Sequence, residues 1–203
     1  RRSTAGISLV EMAVTLAVMS MLAAVLAPPA SGLIEQSRHL QAQRDCATIR
    51  DAMIRLLLDV NKTTLVTHAT GGHVVELLVS GGTIPSTSGR GDARWERDLT
   101  ATGEVDLLER HLVTNDPAGD PANGWAPPAS AGGSGWRGAY VAVAINADPW
   151  GHRYAVNARY FGTRSDVVVI SAGPNGLIDT PLEGQPIDAV RDDRLVLIRL
   201  LGR

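Results

Sequence analysis

One carboxylate, Glu11, stands inside the apolar run "ISLVEMAVTLAVMSMLAAVLAPP" (7–29). An acid in such surroundings costs several kcal/mol unless it meets a partner, so the chemistry open to it is charge pairing. Near the other end, "SAGPNGLIDTPLEGQPIDAVRDD" (171–193) gathers Asp179, Glu183, Asp188, Asp192 and Asp193 in a stretch with no apolar core of its own. These acids repel one another unless a cation sits among them, and a loop of this length in a compact domain is usually functional or disordered. Catalytic patterns are missing. His39, His68, His73, His111 and His152 are scattered, and there is no HExxH, P-loop, G-x-S-x-G or GxGxxG. The adjacent Asp192 and Asp193 define no cleft. The reading is therefore that the chain is not an enzyme. Cys46 is the one cysteine, which rules out an intrachain disulfide and a cysteine-based zinc site. "RGD" (90–92) and "NKT" (61–63) are read as chance matches to an integrin-binding triplet and a glycosylation acceptor.

The elements that position these residues begin with the apolar run. From Ile7 to Pro29 it reaches roughly 35 Å as a helix, enough for a bilayer core of about 30 Å. The basic flank "RRSTAG" places that end on the cytoplasmic side. No turn signal separates the run from 33–60, where Cys46, Ile49, Met53, Leu57 and Val60 form one helical stripe. Gln43, Arg44, Arg50, Asp51 and Arg55 take the other side. One long helix follows, kinked at Pro28 and Pro29. Farther on, 72–82 reads as a short helix ended by glycine. The segment 104–113 reads as a helix with Val105, Leu108 and Leu112 on one side, and 115–135 as a Pro/Gly-rich connection. Residues 135–157 give two β-rich segments around the turn "DPWG", and 166–173 and 193–200 read as strands. The order implies an α+β domain, a long helix laid on a small, mainly antiparallel sheet. The net charge of −2 and 4% aromatic content give no sign of a nucleic-acid binder, and none is expected as a partner.

"G-I-S-L-V-E" ahead of a long apolar helix resembles the N-terminus of type IV pilins and pseudopilins. The resemblance implies cleavage by a prepilin peptidase after Gly6 and N-methylation of Ile7. It makes Glu11 the fifth mature residue, paired with the N-terminal amine of a neighbouring subunit, and Pro28 the proline at mature position twenty-two. Ile7 departs mildly from the family's usual Phe. The C-terminal motifs "GWRGAY", "DPWGHRY", "SAGPNG" and the paired acids are similar to those of the major pseudopilin of type II secretion. Ala139 departs from the family's Pro, and the loop before Asp192 is longer than usual. The resemblance covers 1–60 and about 104–200.

What the resemblance implies is a type IV pilin fold. Residues 1–6 are the end of a leader, 7–29 a transmembrane and filament-core half-helix, 30–60 its amphipathic half, and 61–203 a periplasmic or extracellular α+β domain. The chain is expected as a structural subunit held in the bacterial inner membrane before assembly into a homo-oligomeric helical filament. Its partners are a prepilin peptidase, an inner-membrane platform and ATPase, and minor pseudopilins. Calcium is the expected cofactor, held by the Ser171 backbone, Asn175, Asp179, Asp192 and Asp193, since hard cations take six to eight oxygens. The alternatives are a surface pilin for adhesion, motility or DNA uptake, a membrane-tethered binding domain, and a tethered hydrolase.

Overall fold

Helix α1 runs Leu9–Val60, through Pro28 and Pro29. The structure, a computed structural model, describes residues 8–67, 72–101, 103–184, 187 and 193–198, and within α1 the side chains of 23–31 are not described. The chain divides into two units, one ending at Arg38 and one spanning His39–Arg203.

In the first unit α1 exposes Leu9, Val10, Met12, Val14, Leu16, Val18, Met19, Met21 and Leu22. Its hydroxyls are satisfied within the helix: Thr15 Oγ1 donates to the carbonyls of Glu11 and Met12, and Ser20 Oγ to that of Ala17. These two hydroxyls are thereby internalised, while the apolar side chains of the stretch are left without cover.

In the second unit the rest of α1 is amphipathic. Ala42, Cys46, Ile49, Met53, Leu56, Leu57 and Val60 are buried, while Gln43, Arg44, Asp51 and Arg55 are exposed. The buried stripe joins one core with the sheet, in which Trp95, Tyr154, Phe161 and Ile170 are among the largest fully buried side chains. Polar contacts tie helix to sheet: the Tyr154 hydroxyl donates to Asp45 Oδ2 at 2.8 Å, Arg194 Nε donates to His39 Nδ1 at 3.1 Å, and Cys46 Sγ lies 3.9 Å from the Arg194 carbonyl. Burial pushes the Cys46 thiol well above its usual range, so it behaves as an apolar core residue.

The main sheet contains β1 (Leu77–Val79), β3 (Val105–Leu107), β4 (Ala155–Val156), β5 (Val167–Ser171) and β7 (Arg194–Ile198), in the order β3-β1-β4-β5-β7. A two-stranded ladder pairs β2 (Ser86–Thr87) with β6 (Leu177–Ile178). The architecture is α+β, a helix packed on a mixed sheet. It is less antiparallel than the sequence suggested, because β1 pairs β3 in parallel and β2 pairs β6 in parallel.

Three local expectations are corrected. The segment 72–82 is not a helix: Leu77, Leu78 and Val79 are all buried as the strand between β3 and β4. A strand covered on both faces carries no alternation for sequence reading to detect. The segment 104–113 is not one helix either. It is β3 followed by a π-helical turn over Arg110–Thr114, closed by Asn115 in the left-handed region at φ 57°. Val105, Leu108 and Leu112 do share the core, but from a strand end and a turn. Of 135–157, the sheet takes only Ala155–Val156, and 135–146 is irregular. The strands expected in 166–173 and 193–200 are present as β5 and β7.

Candidate functional site

The two C-terminal motifs meet at a buried carboxylate. Asp148 Oδ1 accepts from the amides of Trp150 (3.0 Å) and His152 (2.8 Å), which fixes the "DPWG" turn, and its Oδ2 accepts from Ser171 Oγ at 2.7 Å. Ser171 Oγ in turn accepts from the Gly173 amide. Gly176, at φ 67°, lies so close to His152 that a Cβ there would fall 2.7 Å from Nε2. "DPWG" and "SAGPNG" are therefore two halves of one clamp, and Ser171 spends its hydroxyl on Asp148.

Around that clamp the expected metal ligands are only partly gathered. Asp193, the last residue before β7, points inward. Its Oδ2 accepts from the amides of Asp179 (3.1 Å) and Thr180 (2.9 Å) and from Thr180 Oγ1, and its Oδ1 is buried with no hydrogen-bond partner. Burial, helped by the nearby Asp179 carboxylate and opposed by these hydrogen bonds, pushes the Asp193 carboxyl up to about 6. Asp179 is also buried, with Oδ1 accepting from Ser88 Oγ at 2.8 Å. Asn175 caps its own turn, Oδ1 accepting from the Leu177 amide. Glu183 is drawn off by the Tyr160 hydroxyl and by Arg94 at 3.7 Å. Among the described residues no three His, Cys, Asp or Glu side chains are grouped as a metal set. The structure thus brings Asp179 and Asp193 together, and the bond to Asp148 engages the Ser171 hydroxyl, not the backbone carbonyl that was the expected ligand. Asp188 and Asp192 lie outside the described residues, as do Gly6 and Ile7.

Glu11 occupies the first turn of α1. Pro28 falls in the helix, within the segment whose side chains are not described. Among the described residues no helix is long and apolar enough to cross a membrane.

The "RGD" triplet is a structural corner. The Asp92 carboxylate accepts from the Arg94 amide and guanidinium, which holds it below the usual carboxylate range. A Cβ on Gly91 would fall 2.0 Å from the Ile178 carbonyl, so only glycine fits.

Sequence reading missed two ionic clusters. Asp106 is buried on β3 and accepts from His111 Nε2 (2.9 Å), Arg110 Nη1 (2.8 Å) and the Ala118 amide (2.8 Å). The neighbouring spacing of Asp106 and Arg110 was visible, but nothing marked the acid as buried. The second cluster joins Glu76, Arg97, Glu104 and Arg159. No sequence signal reveals it, because Glu76 and Arg159 are 83 residues apart.

No family model matches this chain, and no curated protein and no solved structure matches it.

Proposed function

We propose that this chain is a structural subunit of a type IV pilus-like filament, most similar to the major pseudopilin of a type II secretion system. The observation that carries the reading is α1 itself. Its second half is built into an α+β core, while Leu9–Leu22 exposes a continuous apolar surface interrupted by the single carboxylate Glu11. Uncovered apolar area on that scale is unfavourable in water and calls for lipid or for copies of the same helix. With the "G-I-S-L-V-E" pattern before it, this favours insertion in the inner membrane, cutting after Gly6, methylation of Ile7, and helix packing in a filament. Pairing of Glu11 with a neighbour's N-terminal amine then neutralises two charges that lipid or a helix core would penalise. The α+β domain faces the periplasm and afterwards the filament exterior. A platform, an ATPase and minor pseudopilins would supply drive and initiation.

Calcium is the cofactor this reading implies. The fit is partial: Asp179 and Asp193 offer buried hard oxygens on adjoining segments, and Asp193 Oδ1 is unspent. A bound divalent cation would offset the cost of burying two carboxylates and tie Asp193 to the turn at Asp179 in the absence of a disulfide.

Assembly tests the proposal. Glu11→Ala should give a processed, membrane-resident protein that forms few filaments by electron microscopy. Filaments of normal number and length from that variant would remove the charge-pairing role.

A further inference from the structure

A cavity of about 510 Å³ opens where the segments leading into β1 and β3 meet the turn after β4, within the range of small-molecule sites. Glu76 lines it, with a side chain only 13% exposed, and both Arg97 and Arg159 hold that carboxylate. Arg97 Nη1 also reaches Glu104 Oε2 at 2.6 Å. The result is a row of alternating charge, Glu104–Arg97–Glu76–Arg159, drawn from four separate segments and summing to zero. Its outer members, Glu104 and Arg159, line the cavity and remain 48% and 55% exposed. The walls are fixed by two glycines at positive φ. A Cβ on Gly103 would press on His73 at 3.1 Å, and one on Gly162 would meet Thr63 at 2.9 Å. Val74, 41% exposed, adds an apolar patch to the wall.

We infer that this cavity is a binding site for a neutral saccharide. A row with no net charge offers little to a simple anion or cation, each of which meets an opposing like charge beside its partner. It does present fixed acceptors next to fixed donors. A hydroxyl is both donor and acceptor, so adjacent hydroxyls on a sugar ring can bridge carboxylate to guanidinium without leaving either group unpaired. The ring's C–H face suits the Val74 patch. The inference does not depend on the filament reading, since it uses only the second unit.

The test is saturation-transfer NMR on the full chain in a zwitterionic, sugar-free detergent. The probes are maltose, cellobiose, lactose and chitobiose at about 10 mM, a concentration that detects weak binding, with glutamate and inorganic phosphate alongside. At least one disaccharide should show transfer, and Glu104→Gln should weaken it by about tenfold. Thr63→Trp, at an exposed position on the rim, should abolish it while the thermal midpoint stays unchanged. Transfer to none of the disaccharides, transfer to glutamate or phosphate instead, or sugar binding indifferent to both substitutions would overturn the site.

Discussion

At Asp106 burial opposes ionisation, yet hydrogen bonds from His111, the Ala118 amide and Arg110 outweigh it and hold the carboxyl at about 2, against an ordinary 3.8. A group that keeps its charge better folded than unfolded contributes stability above the unfolded value and loses it as pH falls through the folded one. Thermal midpoints should therefore drop between pH 3.8 and pH 2, and Asp106→Asn should lose less across that window than the parent. A parallel fall in both would deny the cluster its role. Removing the acceptor altogether is harsher. Asp106→Ala leaves Arg110 and the buried His111 without their acid and should cost about 3 kcal/mol in chemical denaturation. Gly91 is a steric counterpart: Gly91→Ala drives a methyl into the Ile178 carbonyl and should cost about 3 kcal/mol or prevent folding. A neutral result there would mean that the 88–92 corner relaxes freely.

Among the elements, α1 divides into two regimes that substitutions should separate. Met53→Ala empties a fully buried core position and should destabilise the domain by about 2–5 kcal/mol. Leu16→Ala touches no core and should leave the domain's unfolding unchanged while weakening membrane retention or assembly. The amphipathic half was legible because its apolar stripe had the helical period, and every member from Cys46 to Val60 is buried. Strand β5 and the "DPWG" turn were legible for similar reasons, a long β-branched run and strong turn chemistry. Strands β1 and β3 were not. Each is three residues long, β1 is buried throughout, and the helix-like spacing of Val105, Leu108 and Leu112 arises from a strand that runs into a π-helical turn. Around the candidate metal residues, the sequence shows the acids of 171–193 but not that Tyr160 and Arg94 capture Glu183, or that Asn175 closes a turn on Leu177. If Asp179 and Asp193 hold calcium, millimolar calcium should raise the midpoint by several degrees, magnesium should do so less, and Asp193→Ala together with Asp192→Ala should remove the effect. Identical melting curves with calcium and with a chelator would dismiss the ion and leave the filament reading in place.

As a whole, the proposed filament subunit would serve two environments, with an apolar helix for lipid or filament core and a domain with its own core. The strongest commitment is chemical and lies at the N-terminus. A cleaved secretory signal would remove the helix near "APPASG" (27–32), whereas prepilin processing keeps it and modifies its first residue. Intact-mass and N-terminal peptide mass spectrometry of the protein from cells with a prepilin peptidase distinguishes the two. A filament subunit of the proposed kind should yield a mature chain that begins at N-methylated Ile7, with Gly6→Leu accumulating as uncut precursor. A mature chain that begins after the 27–32 segment would contradict it.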